Sequence, residues 1–211
     1  MKPAAPAEHR MPLLVALSAP SGAGKTTLGQ ELLGWRPNFT RVVTCTTRAP
    51  REGEVNGEAY HFLSHAEFEQ RIAQGDFLEH ALVYSQRYGT LRSDVIRMLR
   101  SGRDVLLTLD VQGVQSIQRL ASSDPELKRS LVTVFLTPPG ISELERRLAK
   151  RGQNNADDLE RRLAEARREI GCWADFDYLI VSASIQEDAR RMLAIVDAES
   201  IRSNRMSPPT L

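Results

Sequence analysis

The stretch Ala19-Pro20-Ser21-Gly22-Ala23-Gly24-Lys25-Thr26-Thr27 constrains this chain more than any other. It follows the apolar run Leu13 to Leu17 and precedes a segment of helical periodicity from Leu28 to Leu33. Buried strand, glycine-rich turn, Lys-Thr and helix together form the context of a phosphate-binding loop. Gly22 and Gly24 can take backbone dihedrals closed to other residues. Successive N–H groups then point inward as an anion-binding nest. The helix N-terminus adds its partial positive charge. In this reading the nine residues hold a nucleoside triphosphate such as ATP. Lys25 brings a full charge to its bridging oxygens, and Thr26 offers a hydroxyl to Mg2+ as the metal ligand. Ala19 replaces the first glycine of G-x-x-x-x-G-K-[ST], the mildest change available.

The 211 residues, 41% of them hydrophobic, suit one α/β domain with small appended lobes. The formal net charge of +1 argues against nucleic acid or a membrane surface as a partner. Cys45 and Cys172 form no metal pattern, and reduced thiols are expected. Lys2, Arg10 and the run from Leu13 imitate a secretory signal, but that run is short and flows straight into the phosphate loop. No stretch reaches the ~20 apolar residues of a membrane span. The expectation is a cytoplasmic protein. Residues 1–11, rich in Pro and Ala, and residues 204–211, with Pro208-Pro209, read as disordered tails.

Further along, Arg41 to Thr47 is rich in β-branched residues and reads as extended. Ser64-His65-Ala66-Glu67 is a capping box opening a helix to about Gln74. Phe77 to Val83 reads as a strand, with a turn at Tyr88-Gly89. Residues 92–101 form a helix closed by Gly102. Asp104 to Leu109 and Leu131 to Leu136 are buried strands, and Val111 to Leu120 a helix between them. Ser142 to Glu145 matches a second capping box, with Ser142 at the N-cap. Leu159, Leu163, Ala166 and Ile170 mark a helix, Tyr178 to Val181 a last strand, and Ile185 to Val196 a closing helix. This alternation predicts a parallel sheet covered on both faces. Residues 41–91 interrupt it as an inserted lobe.

Several separated motifs carry a resemblance. Thr46-Thr47-Arg48-Ala49-Pro50-Arg51-Glu52-Gly53-Glu54, Val55-Asn56-Gly57 and Tyr60 resemble the substrate-binding signature of guanylate kinases. So do Glu79, Tyr88-Gly89-Thr90, Asp110-Val111-Gln112-Gly113-Val114, Arg147-Leu148, Arg151-Gly152 and Arg162-Leu163, in the same order over roughly residues 12–200. The resemblance implies a three-layer P-loop NTPase fold. Its core would be residues 12–40 and 92–203, its nucleoside-monophosphate lobe 41–91, and its lid about 147–162. It implies that Arg48, Arg51, Tyr60 and Tyr88 hold the phosphate of GMP. Two guanidinium forks and two phenols can all donate to a dianion. It gives guanine to Glu79, Thr44 and Thr90, since a carboxylate accepts both N1–H and the amino group, whereas adenine would leave it unpaired. It gives the transferring phosphates to Lys25, Arg151 and Arg162, with Arg147 ranked behind them.

Two departures stand out. The family usually has two acidic residues at the end of the second core strand, where this chain reads Thr108-Leu109-Asp110. Asp110 is left to act alone toward hydrated magnesium and substrate. Ser182-Ala183 stands where the family often has Asn-Asp near adenine. The activity implied is ATP plus GMP, and dGMP, to ADP plus GDP. Two alternatives stay open on sequence alone. A related kinase with another phosphorylated acceptor is opposed by Glu79 beside Thr44 and Thr90, but Thr108 leaves room for it. A non-catalytic guanylate-kinase-like binding module is opposed by the intact Gly24-Lys25-Thr26. Oligomeric state is not legible.

Overall fold

The computed structural model describes residues 10–83, 85–150 and 156–207, without the side chains of 149, 150 and 156–158. The apolar run becomes β1 (Leu14–Ser18), every residue of which is buried. A strand buried on both faces needs parallel neighbours with helices above and below. β1 pairs in parallel with β7 (Asp104–Leu109) on one side and β8 (Leu131–Thr137) on the other. With β2 (Phe39–Arg41) and β9 (Tyr178–Val181) at the edges, the sheet order is β2-β7-β1-β8-β9.

Helices α1 (Lys25–Trp35) and α8 (Ile185–Ser200) close one face around Leu28, Leu32, Met192 and Val196. Helices α3 (Arg92–Arg100) and α4 (Val111–Ala121) close the other around Val95, Leu99 and Ile117. A short helix α5 (Pro125–Ser130), with no apolar period in so few residues, was not foreseen; Asp124 caps it, accepting from Leu127 N–H at 3.1 Å.

The inserted lobe has its own sheet, β4-β3-β6-β5, made of β3 (Cys45–Thr46), β4 (His61–Phe62), β5 (Phe77–Val83) and β6 (Gln86–Leu91). Helix α2 (His65–Gln74) starts at the expected box: Ser64 accepts from Glu67 N–H and Glu67 accepts from Ser64 N–H. Phe68 of α2 and Phe77 of β5 stack 4.4 Å apart in the lobe's small core.

Four expectations are corrected. The extended run Arg41 to Thr47 is split, because Arg41 finishes the edge strand of the core while Cys45 and Thr46 start the lobe. Tyr88-Gly89 is no turn but lies inside β6, opposite β5. The glycine there serves a close approach: a Cβ at Gly89 would lie 2.9 Å from Phe77 Cδ1 and 3.0 Å from Glu79 O. Ser142 is not an N-cap, since α6 (Ile141–Lys150) begins one residue earlier and seats Ile141 against Leu144 and Leu148. Residues 10–11 and 204–207, read as disordered, belong to the fold, with Arg10 bridged to Met206 and Met11 N–H donating to Arg205 O. Arg10 pairs with buried Asp104 at 2.6 Å. Arg205 is 4% exposed and pairs with Glu199 of α8.

Candidate active site

The phosphate loop joins β1 to α1, at the C-terminal end of the sheet where parallel strands leave a crevice. Gly22 and Gly24 have φ of +86° and +105°, so both need glycine. Gly24 is the N-cap of α1, with no side-chain bond to its amides. Those amides therefore stay available to an anion. Ala19, Pro20 and Ala23 are buried beneath the loop, while Ser21, Thr26 and Thr27 are exposed. Ala19 belongs to the core cluster with Leu17 and Ala23.

Lys25 donates to Leu109 O at 2.6 Å. Burial lowers its pKa, opposed by the nearby charges of Asp110 and Glu169. Asp110 caps α4, accepting from Gly113 N–H at 2.7 Å, and so keeps one oxygen committed to the fold.

Across the crevice lies a cavity of 310 Å³ lined by Thr44, Tyr60, Glu79, Tyr88, Thr90, Thr108 and Asp110, among others. Thr44, Tyr60, Glu79, Tyr88 and Thr90, foreseen for guanosine monophosphate, and Asp110, foreseen toward magnesium and substrate, therefore meet in one place, drawn from β5, β6, the start of α4 and the lobe's connecting segments. Glu79 is 7% exposed and accepts from Thr90 Oγ1 at 2.6 Å. Desolvation, opposed by the Thr90 hydroxyl, pushes its pKa up to about 7. Such a group can hold two adjacent N–H donors once ionised, and its burial makes a mismatched base costly.

Arg48 stands beside the cavity with its guanidinium 5.5 Å from the ring centre of Tyr60, which in turn meets Tyr88 edge-on at 6.1 Å. Arg51 is exposed on the following turn. Arg162 is half-buried on α7 (Ala156–Gly171). Arg151 lies outside the described residues. Arg147, ranked lowest from sequence, does reach the phosphate loop, donating from Nη1 to Ala23 O at 3.2 Å. α6 sits on the loop as well: a Cβ at Gly22 would lie 3.0 Å from Leu148 Cδ2.

Sequence reasoning missed two groups. Arg41 lines the cavity from the edge strand, and β-propensity alone could not aim it there. Glu169 faces Lys25 and the Ser21 N–H, and burial first of all raises its pKa to about 7. The signal existed: Glu169 lies two helical turns after Arg162, on the same face of α7.

Among the described residues no cluster of three or more His, Cys, Asp or Glu could hold a metal. Magnesium suits such a site, since it commonly takes few protein ligands and binds through substrate phosphates and water. The exposed Thr26 hydroxyl in the first turn of α1 fits that role. Among the described residues no helix is long and apolar enough to cross a membrane.

The family model for guanylate kinase matches residues 11–199. A guanylate kinase of Paramagnetospirillum magneticum is 41% identical over 200 residues, covering 95% of this chain and 91% of the relative. One from Clostridium perfringens is 39% identical over 194 residues, covering 92% and 87%. The crystal structure of guanylate kinase from Anaplasma phagocytophilum superposes with a TM-score of 0.70 at 29% identity, covering 93% of this chain and 90% of that one.

Proposed function

The chain belongs to the guanylate kinase family, and from that premise we propose that its cavity takes GMP and its phosphate loop takes ATP with magnesium. The observation that carries the acceptor is buried Glu79 hydrogen-bonded to Thr90 in that cavity. Ionised Glu79 accepts guanine N1–H and the exocyclic amine, with Thr44 and Thr90 beside it. Arg48, Arg51, Tyr60 and Tyr88 take the monophosphate. dGMP fits the same contacts, because none of them requires a ribose hydroxyl.

An oxygen of the GMP phosphate attacks the terminal phosphorus of ATP in line. The bond from that phosphorus to the bridging oxygen breaks, and the electron pair leaves on ADP. The attacking oxygen is already anionic near neutral pH, so no base and no covalent intermediate are invoked. Catalysis is positioning and charge stabilisation. The loop amides and Lys25 hold the donor; Lys25 exchanges Leu109 O for phosphate oxygens. Arg162 and Arg151 meet the developing charge, with Arg147 fixing the loop. Asp110 would be the anionic partner of hydrated magnesium. Thr26 would hold magnesium, which would supply charge neutralisation on the donor phosphates. Closure of lobe and lid excludes water and limits idle hydrolysis. We place the reaction in the cytoplasm, with no nucleic-acid partner.

The test is ADP formation from magnesium-ATP with GMP, dGMP, AMP, CMP, UMP and TMP offered separately. Turnover with GMP and dGMP and little with AMP is expected. Turnover with AMP equal to that with GMP would refute the role given to Glu79.

A further inference from the structure

Beside the two acceptor arginines stands a carboxylate that the reaction as described leaves without a task. Glu54 Oε1 accepts from Arg48 Nη2 at 2.9 Å, and its Oε2 accepts from Arg51 N–H at 2.7 Å. One side chain therefore spans both arginine positions. The turn that carries it is fixed: Glu54 N–H donates to Arg51 O at 3.1 Å, and Gly53 has φ of +81°. The side chain folds back over its own turn because only a glycine could reverse the chain there.

Arg48 is held on other sides too. Its Nη1 donates to Ala49 O at 2.8 Å. Its guanidinium lies 5.5 Å from the Tyr60 ring centre and 5.9 Å from that of Phe62. The pair is largely shielded, with side chains 18% and 22% exposed. A guanidinium has five N–H donors. Glu54 and Ala49 occupy two and Tyr88 stands against a third, which leaves donors for a phosphate beside the Tyr88 hydroxyl.

We propose that Glu54 is a positioning residue that presets the acceptor-phosphate clamp, holding the Arg48 fork and the Arg51 turn in register before GMP arrives. The inference rests on the reading of Arg48 and Arg51 as that clamp. Glu54 is placed to support the clamp rather than compete with the ligand, because its second oxygen is anchored on a main-chain N–H. A phosphate approaching the free face of Arg48 has no need to break that anchor. Preset arginines spare the ligand the ordering of two long side chains.

The test is calorimetric titration of the full chain with GMP and with guanosine, which lacks the phosphate. Four proteins are compared: wild type, Glu54→Ala, Glu54→Gln and Arg48→Ala. Glu54→Ala is expected to weaken GMP about tenfold, the scale of a lost charge-assisted contact, while guanosine changes less than twofold. Glu54→Gln recovers part of the loss, because its amide oxygen still accepts from Arg51 N–H. In turnover assays the KM for GMP rises while the KM for ATP is unchanged. Unchanged or tighter GMP binding in Glu54→Ala, with Arg48→Ala weakened, would make Glu54 a spectator or a competitor and overturn the inference alone. Equal weakening of GMP and guanosine would reduce it to a structural role in the lobe. Unaltered GMP binding in Arg48→Ala would instead overturn the clamp itself, and the inference with it.

Discussion

Replacing Glu79 with glutamine should make the nucleotide-free protein more stable at pH 8 while destroying its use of GMP. Glu79 is 7% exposed, and its carboxyl sits at about 7 rather than the ordinary 4.5. Between these values the folded chain keeps a proton that the unfolded chain has released. Stability therefore falls as pH rises from about 4.5 to about 7, and is flat above. At ~1.4 kcal/mol per unit, the full penalty is about 3 kcal/mol. The Glu79→Gln amide carries no charge, and its oxygen can still accept from Thr90 Oγ1, the bond now 2.6 Å long. The variant should thus gain roughly 2 kcal/mol over wild type at pH 8, after allowing for a weaker bond to Thr90. The gain should vanish near pH 4.5. Urea unfolding of both proteins at the two pH values measures this directly. In the same variant kcat/KM for GMP should fall on the order of 10³-fold, since an amide cannot accept both guanine donors. A variant equally stable or less stable than wild type at pH 8, with the same difference at pH 4.5, would refute the claim that Glu79 is held against a desolvation penalty.

Other outcomes follow from the same contacts. Guanosine binding should strengthen about fivefold from pH 6 to 7 and about tenfold by pH 8, then level off, because only ionised Glu79 accepts both base donors; using guanosine removes the titration of the GMP phosphate, and a flat profile by calorimetry would count against it. Arg205→Ala should cost about 1–3 kcal/mol in urea unfolding, because buried Glu199 loses one of its two arginines, keeping Arg202 and the Tyr178 hydroxyl, and the carbonyls of Arg129 and Leu131 lose a donor; a change under ~0.5 kcal/mol would return residues 204–207 to the status of a loose tail. Gly89→Ala should cost about 1–3 kcal/mol and impair GMP far more than ATP binding, since the added methyl meets the Phe77 ring at 2.9 Å and the Glu79 carbonyl at 3.0 Å; wild-type unfolding and GMP affinity would show that the strands can part.

The sequence by itself determined the elements whose cause is local. The phosphate loop was legible because two glycines, a lysine and a threonine fix both backbone and charge within nine residues, and because an unbroken apolar run must be a strand buried on both faces. The box at Ser64 and Glu67 was legible for the same reason, since its partners are three residues apart. The matching box at Ser142 failed because Ile141 gains more from joining Leu144 and Leu148 than Ser142 gains as a cap. Tyr88-Gly89 failed because its glycine answers to a ring on the neighbouring strand, which no local rule contains. Tertiary structure alone brought Glu79, Thr90, Thr44 and Asp110 around one cavity. It alone turned Arg41 and Glu169 toward the site and set Glu54 against Arg48. Those relations depend on how sheets, lobe and helices pack, and burial in that packing is what raises the pKa of Glu79 and of Glu169.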